Sequence, residues 1–277
     1  MIIGVDLGGT HIRVGLIEGG VIKVLKQALL ENKDSLQKTI SQLIALISPL
    51  MSPDVKGIGI GVPSIVDTVN GIVFDVVNIP SWQRVELKKI LETEFKTAVS
   101  VNNDVNCFAL GEHKYGQATT FSSFVALALG TGLGAGIIIH DSLYQGNNCG
   151  AGEIGSLAYL DKNLEFYSSS SFFEVMHGTT AFDAHTAALM GDNKAINIWA
   201  EYGIHLGNVL KAVMYTYDPE AIVFGGSISK AYNLFENSMM NSLSDFQFQE
   251  TVKRLKILRS SIDNVALLGA ASLIKFD

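Results

Sequence analysis

Residues 2–17 read Ile2-Ile3-Gly4-Val5-Asp6-Leu7-Gly8-Gly9-Thr10-His11-Ile12-Arg13-Val14-Gly15-Leu16-Ile17. A strand runs into Asp6-Leu7-Gly8-Gly9-Thr10, and a second strand, Arg13 to Ile17, leaves it. A turn carrying an acid, two glycines and a threonine suits a nucleotide's phosphates. Glycines without Cβ let backbone N–H groups approach phosphate oxygens closely and form an anion-binding nest. Asp6 is placed to hold Mg²⁺ through water, and Thr10 to donate a hydroxyl. Taken alone, the same turn is equally an ordinary hairpin that needs positive φ.

A second turn of the same kind favours the phosphate reading. Phe124–Leu129 is a buried strand, followed by Gly130-Thr131-Gly132-Leu133-Gly134-Ala135-Gly136 and another strand, Ile137–Ile139. A third glycine pair, Gly225-Gly226, follows Ala221–Phe224. Two strand–Gly/Thr–strand turns half a chain apart imply two similar halves facing one nucleotide. The pattern resembles the actin-like ATPase (ribonuclease H-like) fold shared by sugar kinases and actin. The expected fold class is therefore α/β and two-lobed, with repeated βββαβα halves and an interlobe cleft. The N-terminal lobe is expected over residues 1–115 and the C-terminal lobe over 116–277, with a helix over 265–276 packing back on the first.

The elements between the turns fit that order. Asp34 is expected to cap a helix whose apolar residues Leu36, Ile40, Leu43, Ile44, Ile47 and Leu50 recur at helical spacing. Val55–Val62 reads as a glycine-rich strand ending at Pro63-Ser64, Val85–Phe95 as a helix and Ala98–Val101 as a strand. Asp104–Tyr115 follows as a helix with Asn102 or Asn103 near its cap. In the second half, helices are expected near Lys194–Tyr217 and in the 230s, then a strand over Leu255–Leu258.

Composition narrows the class. The chain has 277 residues, room for two domains of roughly 110–160 residues each. Hydrophobic residues make up 48% and charged ones 17%, which is compact rather than disordered. A net charge of −7 without a basic cluster argues against nucleic acid as a partner. The uncharged run Ala118 to Ile139 could span a bilayer on length alone, but its glycines, serines and threonines fit strand–turn–strand, so no membrane partner is expected. No signal peptide is expected, and Cys107 and Cys149 match neither a disulfide framework nor a metal spacing, so a cytoplasmic location is expected.

Val99-Ser100-Val101-Asn102-Asn103-Asp104-Val105-Asn106 bears on the reaction. A carboxylate where a strand passes into a helix is rigidly held. There Asp104 can accept the proton of a substrate hydroxyl as its oxygen attacks a γ-phosphoryl group. Asn103 offers a donor and an acceptor to sugar hydroxyls. The alternative is that both residues only cap the helix. Glu153, in Gly150-Ala151-Gly152-Glu153-Ile154-Gly155, can accept from two neighbouring sugar hydroxyls. Glu174 interrupts an apolar run, Phe172-Phe173-Glu174-Val175. A solvated surface acid remains the alternative for both.

Here the chain resembles the ROK family of bacterial sugar kinases. The resemblance runs through Asp6-Leu-Gly-Gly-Thr10, Gly59-Ile-Gly-Val-Pro63, Asn78-Ile-Pro-Ser-Trp82 and Asn103-Asp104-Val-Asn106. It continues through Leu129-Gly-Thr-Gly-Leu-Gly134, Gly152-Glu-Ile-Gly155, Asp218-Pro-Glu-Ala-Ile-Val-Phe-Gly-Gly226 and Leu268-Gly-Ala-Ala271. The resemblance implies an ATP-dependent kinase of a hexose or N-acetylhexosamine, acting at the 6-hydroxyl, with Asp104 as base. The sugar would meet Ser64, Asn78, Asn103, Glu153 and Glu174. ATP and Mg²⁺ would meet Asp6, Gly8, Gly9, Thr10, Gly130, Thr131, Gly132, Gly134, Gly225 and Gly226. A homodimer or other homo-oligomer is also implied.

Two departures stand out. The family's histidine after Gly-Glu-Ile-Gly is Ser156 here, and Leu157–Ser171 contains no cysteine. Zinc needs about four N or S ligands, so no structural zinc is expected. Two other readings are set aside. Gly130-Thr-Gly132-Leu-Gly-Ala135 mimics a dinucleotide fingerprint, but a β run follows where a helix is needed. A P-loop is absent. A third alternative stays open: a sugar-binding sensor of the same family that does not phosphorylate. The family's regulators carry a DNA-binding segment before the first glycine turn, and none is expected here.

Overall fold

The computed structural model describes residues 1–275; the helix expected over 265–276 ends at Ala271, with Ser272 as its cap, and residue 276 lies outside the described residues. Strands β1 (Ile2–Leu7), β2 (His11–Glu18) and β3 (Val21–Leu29) form an antiparallel meander. Helix α1 (Leu36–Ile47) leads to β4 (Gly57–Val62), which pairs parallel to β1. A small separate sheet follows, of β5 (Ile65–Asp67), β6 (Ile72–Phe74) and β7 (Arg84–Val85). Then come α2 (Leu87–Phe95), β8 (Ala98–Asn103) and α3 (Asp104–Lys114).

The second half repeats the scheme. Strands β9 (Phe124–Leu129), β10 (Leu133–Ile139) and β11 (Ser142–Leu143) open it. An insertion supplies β12 (Ala158–Tyr159), β13 (Lys162–Asn163), α4 (Leu164–Ser168), a π-helical turn over Phe172–Met176 and α5 (Ala181–Leu189). Then follow α6 (Asn193–Tyr217), β14 (Ala221–Gly225), α7 (Tyr232–Ser242), α8 (Gln249–Arg254), β15 (Lys256–Arg259) and α9 (Val265–Ala271). The main sheets have the orders β3-β2-β1-β4-β8 and β11-β10-β9-β14-β15. Numbered within each half, both are 3-2-1-4-5, the signature of the repeated actin-like α/β fold.

Several boundaries differ from the sequence reading, each for a local reason. Ser35, not Asp34, caps α1, its hydroxyl accepting from Lys38 N. The expected helix from Val85 starts at Leu87, because Arg84 and Val85 pair with β6 as an edge strand. Strand β4 begins at Gly57, and β15 covers Lys256–Arg259. Strand β10 already begins at Leu133, so Gly134 and Gly136 lie within it. Strand β8 runs on to Asn103, which itself caps α3 by accepting from Val105 N and Asn106 N.

Two compact units result. One comprises Met1–Thr120, Gly136–Ala151 and the chain from Ser261; the other comprises Phe121–Ala135 and Gly152–Ser260. In the first unit all six residues of β4 are buried, and α9 lies against β1, β4 and α3. That approach is close enough to exclude side chains. A Cβ on Gly59 would sit 1.8 Å from the Ala270 carbonyl oxygen, and one on Gly269 would sit 1.7 Å from that of Cys107. In the second unit Phe172, Phe173, Trp199, Tyr202 and Phe235 form a buried aromatic core between the inserted segment, α6 and α7.

Candidate active site

In the first unit, β1, β4 and β8 place Asp6, Gly61 and Asn102 in register across the sheet. The first turn of α3 rises directly beyond. Gly61 makes this possible, since a Cβ there would lie 3.2 Å from both the Asp104 Cα and the Cys107 Sγ. Cys107 is buried, and its thiol is pushed well up by burial and by the Asp104 and Asp6 carboxylates. Two acids assigned from separate stretches of sequence thus act on one neighbourhood.

Asp104 opens α3, and its Oδ1 accepts from Val105 N at 2.9 Å. Asn103 Oδ1 accepts from Val105 N and Asn106 N, while its Nδ2 donates to the Ser64 carbonyl at 3.3 Å. Asn103 therefore does cap the helix, and it ties Ser64 to the same spot. The Ser64 hydroxyl donates to the Phe74 carbonyl. Asn78 belongs to a segment fixed by buried Ile79 and Trp82, whose indole N–H donates to the Thr39 hydroxyl at 2.7 Å. It packs on the first glycine turn: a Cβ on Gly9 would lie 2.6 Å from that of Asn78. Neither Gly8 nor Gly9 has positive φ, so close approach rather than turn conformation calls for glycine there. Thr10 is exposed at the tip. Burial pushes Asp6 up toward its protonated form, against the pull of the Arg13 guanidinium 3.0 Å from Oδ2.

A buried network behind these residues was not anticipated. Asn102 Oδ1 accepts from Asn103 N, Asn106 Nδ2 and the Cys149 thiol, while Asn102 Nδ2 donates to Gln145. Gln145 in turn donates to Thr68. The loop before Gly150 is thereby pinned to the strand that presents Asp104.

In the second unit the glycine turns lie together. A Cβ on Gly226, whose φ is +83°, would sit 2.2 Å from the Leu129 carbonyl that leads into Gly130, and Gly130 itself approaches the Ser227 hydroxyl. Thr131 is exposed, and Gly132 and Gly134 are half-buried. Gly152 accepts from Ala135 N, and a Cβ on Gly155 would sit 2.6 Å from the Leu133 carbonyl, so the Glu153 loop packs directly on this turn. Glu153 still reaches solvent, but partial burial, and then the Glu165 carboxylate, raise its pKa.

Glu165, which the sequence reading did not single out, lies against the second glycine turn. Its Oε2 accepts from Leu133 N at 2.9 Å, and a Cβ on Gly132 would lie 2.7 Å from that oxygen. Glu174 instead occupies the exposed side of the π-helical turn, where Phe172 and Phe173 point inward. Both acids interrupt apolar, aromatic runs, so pattern alone does not separate them. Ser156 is exposed at the end of the short turn after Glu153. Among the described residues no group of three or more His, Cys, Asp or Glu is arranged to hold a metal ion, and no helix is long and apolar enough to cross a membrane. Cys107 and Cys149 are both buried.

This architecture defines an actin-like fold with two glycine turns, a strand-to-helix aspartate and a pair of acids in an inserted segment. The ROK family profile matches residues 2–276, and the chain belongs to the ROK family. It is 30% identical to a glucokinase of Thermotoga maritima, covering 99% of this chain and 97% of that one. A xylose repressor of Bacillus spizizenii is 27% identical, over 98% of this chain and 76% of its own. The structure of a ROK family glucokinase from Streptomyces griseus, in complex with glucose and AMPPNP, superposes with TM-score 0.83 at 24% identity, over 98% of each chain.

Proposed function

We propose that this protein is an ATP-dependent sugar kinase that phosphorylates a hexose or N-acetylhexosamine at its 6-hydroxyl. The observation that carries this reading is Asp104, held by α3 beside the hydroxyl-binding candidates Asn103 and Ser64. A sensor needs no base at that point. Similarity to the Thermotoga glucokinase over nearly the whole of both chains supports the same reading.

Asp104 takes the proton of the 6-hydroxyl as the oxygen attacks the γ-phosphorus, and the bond to the β-phosphate oxygen breaks. Ser64, Asn78 and Asn103 are offered to sugar hydroxyls, as are Glu153 and Glu165. Glu174 is the alternative to Glu165 in that set. The glycine turns at Asp6–Thr10 and Gly130–Gly134 receive the phosphates, with Thr131 donating a hydroxyl and Gly225-Gly226 near the adenosine. Bare glycine backbone fits phosphates, and Asp6 has Oδ1 to offer a hydrated cation while Oδ2 holds Arg13. Bound Mg²⁺ would neutralise charge on the transferring group.

The xylose repressor relative favours a second reading, a sugar-responsive protein without phosphoryl transfer. Release of ADP by the purified protein across a hexose and N-acetylhexosamine panel tests the proposal. Sugar binding without sugar-dependent ADP release from any member would overturn it in favour of the second.

A further inference from the structure

Glu165 lies on α4, a helix of five residues. A helix so short has no independent stability, so contacts from outside must fix where its side chains point. Asn163 caps it by accepting from Phe166 N at 2.8 Å, and Leu164 N donates to the Leu157 carbonyl. Both bonds tie α4 to the hairpin of β12 and β13, in which Tyr159 pairs with Lys162. Tyr167, two residues after Glu165, donates to Asp161 at the hairpin tip. Hairpin and helix are therefore hydrogen-bonded into one piece.

That piece is fastened to α6. Tyr159 Oη lies 3.1 Å from His205 Nδ1 and accepts from Asn208 Nδ2 at 3.1 Å. Burial holds His205 below the ordinary imidazole range, which suits a neutral ring whose Nδ1 accepts the phenol proton. The Tyr167 ring lies 4.8 Å from that of His205 and 5.4 Å from that of Tyr159. At the other end of α4, Tyr202 Oη donates to the Ser168 carbonyl at 3.0 Å. Beyond it, Ser170 N donates to the Gly130 carbonyl at 2.8 Å.

We propose that Tyr159, held between His205 and Asn208 on α6, is a positioning residue that sets Glu165 against Leu133 N and orients its carboxylate toward the sugar. The proposal rests, for its second half, on the reading of Glu165 as a sugar ligand. Tyr159 acts through α4, by way of its contacts with His205, Asn208 and Tyr167.

Tyr159→Phe tests this, because it removes the hydroxyl and keeps the ring that packs on Tyr167. Amide hydrogen exchange over residues 130–134 reads whether Leu133 N keeps its acceptor. KM for sugar and KM for ATP, in Tyr159→Phe, Glu165→Gln and the double variant, read the effect on function. Faster exchange at Leu133 is expected in Tyr159→Phe, with sugar KM raised about two- to tenfold, the scale of one or two lost hydrogen bonds. ATP KM and melting temperature should change little. The double variant should be no worse for sugar than Glu165→Gln alone, since both act through one carboxylate. Unchanged exchange at Leu133 in Tyr159→Phe overturns the anchor whatever Glu165 does. Additive losses, or equal falls in melting temperature and both KM terms, also overturn it by showing a general structural role. Faster exchange with an unaltered sugar KM in Glu165→Gln supports the anchor and sinks only the sugar-ligand reading.

Discussion

Replacing Asp104 by Asn separates chemistry from architecture. Asp104 Oδ1 accepts from Val105 N at 2.9 Å, and an asparagine oxygen can accept the same bond. The fold then loses only one negative charge in the first turn of α3, worth about 0.3–1 kcal/mol. For a chain of this size that lowers the melting temperature by at most about 4 °C. Under the proposed mechanism the reaction loses its general base, which contributes about 10²–10⁴-fold, or about 3–5 kcal/mol of barrier. One variant measured in two ways therefore gives two very different numbers. Calorimetry should find sugar affinity within about threefold of the parent, while sugar-dependent ADP release falls at least about 100-fold. Turnover within about threefold of the parent would refute the assignment of Asp104 as base.

Thr131→Val should raise the ATP requirement and leave the sugar requirement nearly unchanged; initial rates with each substrate varied in turn check this, and a change confined to the sugar would contradict the placement of the second glycine turn. Glu153 would accept from sugar hydroxyls more strongly as a carboxylate than as the neutral acid, and its pKa is raised by burial and by Glu165. Sugar affinity should thus fall, as pH drops, at a higher pH than an ordinary carboxylate would dictate. In calorimetry across pH, Glu153→Gln should lose that limb; a limb that survives belongs to another group. Gly59→Ala drives a Cβ to within 1.8 Å of a backbone oxygen of α9, a clash that no side chain can relieve. It should cost about 3 kcal/mol, the upper end of the usual cost of overpacking, in denaturant unfolding, and a parent-like midpoint would show that α9 does not rest on β4.

The fold was legible because its signals are local and repeated. Each half announces itself by a strand, a glycine-rich turn and a second strand, and the 3.6-residue pattern of α1 survives into its buried face. Sequence also marked Asp104, because a carboxylate at a strand-to-helix junction is fixed by regular elements. It did not single out Glu165. Leu164-Glu165-Phe166-Tyr167 and Phe173-Glu174-Val175 have the same look, and only tertiary contacts bring one acid to Leu133 N and leave the other in solvent. The Asn102, Gln145 and Cys149 network was hidden for a related reason: Asn102 lies 43 and 47 residues before its partners Gln145 and Cys149. Caps such as Ser35 over Asp34 turn on which of two neighbouring oxygens reaches the helix, a matter of a single backbone torsion.

The contact of α9 with β1 and β4 also orders events in time. The first unit is assembled from three separated stretches of chain, and α9 lies some 258 residues after the end of β1. At roughly 5–20 residues per second, a ribosome reaches Val265 roughly 13–50 s after it has finished β1. Until then the glycine-lined surface of β1 and β4 has no helix to cover it. The second unit, complete by Ser260, can fold ahead of the unit that precedes it in the gene. Nascent chains of this protein therefore spend most of their synthesis with an uncovered apolar sheet, the state in which chaperones and proteases find their clients.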